Sequence, residues 1–112
     1  MNIQLLRSKE TTQALKGKKY KYTYSSGMKA QLQFLEKELT WEILEGENKG
    51  EKGTPDYLAR EIAEGIYLVQ WYEEAIGATI TLVINEIAGS VSSSEAYEDT
   101  RVFDTAVISE MF

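Results

Sequence analysis

From Lys18 onward, apolar and polar side chains alternate along most of the chain, and this period of two predicts strands with one wet face. In KYKYTYSS, Tyr20, Tyr22 and Tyr24 fall on one face and Lys19, Lys21 and Thr23 on the other, and the following Gly27 marks a turn. MKAQLQFLE repeats the pattern, with Met28, Ala30, Leu32 and Phe34 set against Lys29, Gln31 and Gln33. After a tight connection at Glu36–Lys37, ELTWEILEG brings Leu39, Trp41 and Ile43 to one side. GENKGEKGTPD, with three glycines and the chain's one proline, reads as a loop. DYLAREIAEG is a less decisive strand, ambiguous in its facing at Leu58, Arg60 and Ile62. IYLVQWYEE is strongly strand-forming and sets Tyr67, Val69, Trp71 and Glu73 opposite Leu68, Gln70 and Tyr72. Beyond a turn at residues 75–77, ATITLVIN, AGSVSSSEAY and a last segment from Arg101, RVFDTAVISEMF, complete the series.

Seven or eight short strands joined by small turns predict an all-β fold, a small antiparallel barrel or sandwich. An up-and-down barrel removes exposed sheet edges and turns alternate side chains inward. Residues 1–16 stand apart as an N-terminal cap or flexible segment: a short helix starting near Ser8, with Leu5, Leu6 and Leu15 as its apolar edge, or an irregular stretch. Residues 17–112 then form one barrel domain, the count expected for a chain of 112 residues.

Composition narrows the chemistry. A formal net charge of -6 provides no basic footprint for a phosphate backbone, so nucleic acid is not an expected partner. The absence of both cysteine and histidine excludes disulfides, thiolate nucleophiles, imidazole bases and the usual zinc sites. No calcium-loop spacing appears either, so no metal is expected. No apolar run approaches membrane-spanning length, which makes a cytoplasmic protein the default expectation. There is no GxGxxG, phosphate loop or serine-centred nucleophile motif, and hence no cofactor expectation. Any catalysis would fall to tyrosines, carboxylates and an arginine.

The candidate residues each support two readings. Tyr20, Tyr22 and Tyr24 either fill a small barrel or wall a chamber for an aromatic or carboxylate-bearing ligand. Glu73 is either a solvated carboxylate beside a turn or an acid–base group at an aromatic cavity. Trp41 and Trp71 are core plugs or stacking surfaces for a planar ligand. Arg60 is the candidate interior cation. Glu45, Glu47 and Glu51, with Lys49 and Lys52, read as a charged loop.

Several landmarks follow one another in a telling order: Tyr22–Thr23–Tyr24 and then Gly27, the loop Gly46–Glu47–Asn48–Lys49–Gly50 after Trp41 and Ile43, Glu64–Gly65–Ile66–Tyr67, and Trp71–Tyr72–Glu73. Over roughly residues 17–95 the chain resembles the family of MoaF-like proteins and phenolic acid decarboxylases, which have a lipocalin-like β-barrel. In the decarboxylase branch two tyrosines of such a strand orient the substrate carboxylate, and a glutamate after the tryptophan handles the phenolic end or its proton. The resemblance carries those roles to Tyr22, Tyr24 and Glu73. That branch also has an arginine directly after the loop's second glycine, where this chain has Glu51 after Gly50. The reversed charge removes an attractive partner for a carboxylate substrate and brings the chain closer to the MoaF-like branch.

The leading expectation is therefore a small-molecule-binding, lipocalin-like barrel. Tyr20, Tyr22, Tyr24, Trp41, Arg60, Trp71 and Glu73 would surround a small aromatic or other part-polar ligand. The alternatives are a decarboxylase-like lyase acting on a hydroxycinnamic or related acid, with Tyr22, Tyr24 and Glu73 catalytic, and a structural or dimerisation module. The resemblance implies a homodimer.

Overall fold

The computed structural model describes residues 13–112 and contains nine strands in one sheet. They are β1 (Lys19–Tyr24), β2 (Lys29–Phe34), β3 (Leu39–Glu45), β4 (Lys52–Gly53), β5 (Leu58–Ala63), β6 (Ile66–Glu73), β7 (Ala78–Asn85), β8 (Ser90–Tyr97) and β9 (Thr100–Met111). All pairings are antiparallel, and the spatial order is β4-β3-β2-β1-β9-β8-β7-β6-β5. Two meanders thus meet where the first long strand pairs with the last, Tyr22 opposite Ile108 and Tyr24 opposite Ala106.

This order corrects the expectation of a closed barrel of seven or eight strands. The sheet curls into a half-barrel whose ladder ends at β4 on one side and β5 on the other. Among the described residues, the one backbone bridge between the two sides is Glu38–Asp56, just before β3 and β5, through Leu39 N–H donating to the Pro55 carbonyl at 3.0 Å and Tyr57 N–H donating to that of Lys37 at 3.1 Å. The additional strand is β4, two residues of the glycine-rich loop that pair with Trp41 and Glu42. Pro55 has no N–H to give a ladder, so the segment cannot extend and zip the two edges together.

No helix occurs among the described residues. The helix expected from Ser8, with Leu5 and Leu6, lies outside them, apart from its final residues. Of these, Leu15 sits in a turn closed by Lys18 N–H to the Leu15 carbonyl at 2.9 Å, and its side chain is fully buried. No helix among the described residues is long and apolar enough to cross a membrane.

Alternation along the strands builds the interior. On β1 the three tyrosines point inward and the two lysines and Thr23 outward. Ala30, Leu32 and Phe34 from β2, Tyr67, Val69 and Trp71 from β6, and Leu82 and Ile84 from β7 complete the same core. At one end Phe34 packs edge-on between Tyr20 (6.1 Å between centroids) and Tyr57 (5.1 Å), a geometry favoured by ring quadrupoles. The Tyr20 hydroxyl donates to Glu86 Oε2 at 2.6 Å, and Lys18 Nζ donates to the same oxygen at 2.8 Å. Burial by itself pushes the Glu86 carboxyl up and the Lys18 ammonium down. Their mutual hydrogen bond and charge, with the Tyr20 hydroxyl helping Glu86, outweigh it and leave Glu86 below and Lys18 above its ordinary value. This end of the half-barrel is plugged.

Candidate functional site

The opposite end holds a cavity of about 700 Å³. Strand phase decides what faces it. β1 supplies Tyr22 and Tyr24, β3 supplies Trp41 and Ile43, β6 supplies Trp71 and Glu73, and β7 supplies Ile80 and Leu82. The register places Trp71 opposite Ile80 and Val69 opposite Leu82, so each inward position of β6 continues across the wall into β7.

Glu73 is the polar centre of the mouth. Its Oε1 accepts the indole N–H of Trp41 at 2.7 Å and that of Trp71 at 3.3 Å. Both tryptophans of the chain therefore converge on one half-buried carboxylate oxygen. Among the described residues, no hydrogen bond reaches Oε2. The backbone of β4 closes over Trp41 so tightly that a Cβ at Gly53 would lie 2.8 Å from Nε1, which is why the strand has glycine there.

The two inner tyrosines differ in their partners. Tyr24 donates its hydroxyl to Ser93 Oγ at 3.2 Å and stacks edge-on against Tyr22, 5.7 Å between centroids. Burial pushes the Tyr24 phenol up, and the carboxylates of Asp104 and Glu95 add to that against the Ser93 hydrogen bond. Tyr22 is only 4% exposed, and burial, with Tyr24 adding, pushes its phenol up strongly. Both side chains consequently present O–H groups, not phenolates. No group among the described residues pairs with the Tyr22 hydroxyl, yet it is not sealed in apolar packing; it faces the cavity. An unpaired hydroxyl on a cavity wall is available to whatever enters, water or ligand.

Five of the seven expected site residues come together here: Tyr22, Tyr24, Trp41, Trp71 and Glu73. Tyr20 does not; it belongs to the plug at the far end, bonded to Glu86. Arg60 does not either, because β5 turns Ala59 inward and leaves Arg60 exposed on the outer face. Glu51, Lys52 and Asn48 of the charged loop border the cavity, as do Ser93, Glu95 and Tyr97 of β8. The signal for that last group was faint but present. Val91 fixes the inward phase of a serine-rich strand, and counting by twos from it reaches Ser93, Glu95 and Tyr97. No group of three or more acidic side chains among the described residues is placed to hold a metal ion.

An open all-β half-barrel with an aromatic-walled cavity at one end defines the structural class. The MoaF-like family matches residues 16–106, and the chain belongs to that family. None of the curated proteins matches it. Among solved structures, a Burkholderia vietnamiensis protein provisionally called a beta-lactamase superposes with a TM-score of 0.77 at 20% identity, covering 88% of this chain and 96% of that one. At that identity the likeness establishes the fold alone.

Proposed function

We propose that this MoaF-like protein binds a small molecule in the cavity bounded by Tyr22, Tyr24, Trp41, Trp71 and Glu73. The observation that carries the reading is Tyr22: its side chain is only 4% exposed, and its hydroxyl, without a partner among the described residues, borders open space large enough for a ligand. A packed structural core would have spent that hydroxyl on a neighbour, as Tyr20, Tyr24 and Tyr57 each do. The test is a thermal-shift screen of small aromatic and amphipathic compounds, followed by tryptophan emission. Compounds that raise the melting temperature and also change the emission support the reading. A broad panel that moves neither, in a protein shown to be folded, overturns it.

Decarboxylation of a phenolic acid is the second reading, because Tyr22, Tyr24 and Glu73 do share one cavity. Against it stands Glu51, which borders that same cavity where the decarboxylase resemblance calls for an arginine. Incubation with hydroxycinnamic acids is expected to release no vinyl phenol, and its appearance would establish the lyase. Nothing in the cavity favours β-lactam hydrolysis: the Ser93 hydroxyl accepts from Tyr24 and lies 3.5 Å from the Asp104 carbonyl, with no base set to activate it. The homodimer and cytoplasmic setting are part of the proposal, and a solution mass of twice 12.7 kDa is the result expected for the former.

A further inference from the structure

The charges around the cavity are lopsided. Among the described residues, Glu51, Glu73 and Glu95 border it, against one cation, Lys52, which is exposed at the rim. None of the three carboxylates is neutralised within the described protein, whose ion pairs use Glu86, Glu110 and Glu45 instead. Glu73 meets two indole N–H groups through one oxygen and leaves the other open. Asp104 lies close enough to Tyr24 to act on its phenol, which adds a further negative charge near that wall. The same lining carries Trp41, Trp71, Tyr22, Tyr24 and Tyr97, rings whose faces are negative.

Such a lining treats the two signs of ligand charge very differently. A carboxylate entering this space would lose its water and meet three like charges, with one solvated lysine among the described residues to attract it. An organic cation would be drawn by the carboxylates and would rest against ring faces, the arrangement by which aromatic cages hold ammonium groups. The deeper wall of Ile43, Ile80 and Leu82 is apolar and suits a ring or branched chain. The Tyr22 side chain is nine-tenths buried, and its unpartnered hydroxyl, which borders the cavity, supplies one hydrogen bond to a polar atom of the bound molecule.

Resting on the reading that the cavity is a ligand site, we propose that its ligand is an organic cation: a small amine whose ammonium lies in the negative field of Glu73, Glu95 and Glu51 and whose apolar body lies against Trp71, Ile80 and Leu82. This assigns a substrate class opposite in charge to a phenolic acid.

Three probes of nearly identical shape test the assignment: 3-phenylpropylamine, 3-phenylpropan-1-ol and 3-phenylpropionate, carrying positive, zero and negative charge at pH 7. Both tryptophans border the cavity, so intrinsic emission reads binding directly. The amine is expected to bind about tenfold tighter than the alcohol, with the propionate weaker than both. The amine's advantage should shrink as salt is raised, because rim carboxylates are screened. Glu95→Gln should reduce the amine's affinity about threefold to tenfold and leave the alcohol's unchanged. Glu51→Gln, at an exposed rim position where folding is not at risk, should do the same more weakly. If the alcohol or the propionate binds as tightly as the amine, the charge assignment is overturned while the ligand site itself stands. If Glu95→Gln and Glu51→Gln weaken all three probes equally, the assignment also falls. If none of the probes changes the emission, the amine assignment falls, and the ligand site itself is decided separately by the broad compound panel.

Discussion

Gly53→Ala perturbs the cavity through one methyl group. The new Cβ would stand 2.8 Å from Trp41 Nε1, 2.9 Å from Cε2 and 3.0 Å from Cζ2. Carbon contacts settle at about 3.5–4.0 Å, so the indole must retreat by roughly half an ångström. The ring is rigid, and its Nε1 is also the donor to Glu73 at 2.7 Å, so relief of the clash comes at the expense of that bond. Overpacking of this kind costs about 1–3 kcal/mol, and a hydrogen bond to a charged acceptor contributes about 1.5–3 kcal/mol. The two costs share one displacement and do not add, and half-buried Glu73 can turn partly to water, so the expected loss is about 2 kcal/mol. For a domain of this size that lowers the melting temperature by about 7–9 °C. Thermal unfolding by circular dichroism measures it, and tryptophan emission should shift to the red as Trp41 loses its enclosure. The decisive comparison is a double-mutant cycle with Trp41→Phe, whose smaller ring leaves room for the methyl, so that most of the cost of Gly53→Ala vanishes. A Gly53→Ala protein with wild-type melting and emission would refute the reasoning, as would an equal cost in both backgrounds.

Removing the hydroxyl in Tyr20→Phe takes away a 2.6 Å bond to a carboxylate at a fully buried ring, and about 1.5–3 kcal/mol of stability should go with it in urea unfolding. Tyr22→Phe removes a hydroxyl with no protein partner, so stability should stay within about 0.5 kcal/mol of wild type while ligand affinity falls; a loss above about 1.5 kcal/mol would reveal a structural role for that hydroxyl. The Lys18–Glu86 pair should make stability depend on pH at both extremes. Glu86 is held below the ordinary glutamate value, so its contribution is complete above about pH 4.3 and is lost as pH falls through the lower folded value. Lys18 is held above the ordinary lysine value, so its contribution is complete below about pH 10.4 and is lost as pH rises through the raised value. Melting temperatures of wild type and Glu86→Gln across both ranges check this, and the substitution should flatten both slopes.

The inward faces of β1 and β6 were legible from the sequence because apolar and polar residues alternate there without interruption, and the grouping of Trp71 with Glu73 follows from that alone. The division of labour along β1 was not. Tyr20 and Tyr24 share a face but stand roughly 13 Å apart along the strand, far enough for one to plug an end and the other to border a cavity. What separates them is Glu86, distant in sequence and adjacent only once β7 has folded across. Glu95 was hidden among serines, where a single apolar residue, Val91, sets the phase. Arg60 sits on an edge strand with a register shift between Glu61 and Ala63, and local pattern gives little guidance to facing in such a strand. Closure is still less local, since it depends on whether β4 and β5 pair; two residues and a proline decide that they do not.

The incomplete ladder has a mechanical consequence. A closed barrel is a hoop, and its girth is fixed by strand number and stagger. Here, among the described residues, the circumference is held by a clasp of two backbone hydrogen bonds, Leu39 to Pro55 and Tyr57 to Lys37, and two from side chains, the Tyr57 hydroxyl to the Leu35 carbonyl and the Trp41 indole to Glu73. Glu73 lies near the clasp, bordering both the cavity and a recess formed with Thr54, Pro55 and Asp56. Opening the clasp requires no strand to unzip, so the girth of the chamber can adjust to its contents while every long strand pairing remains intact.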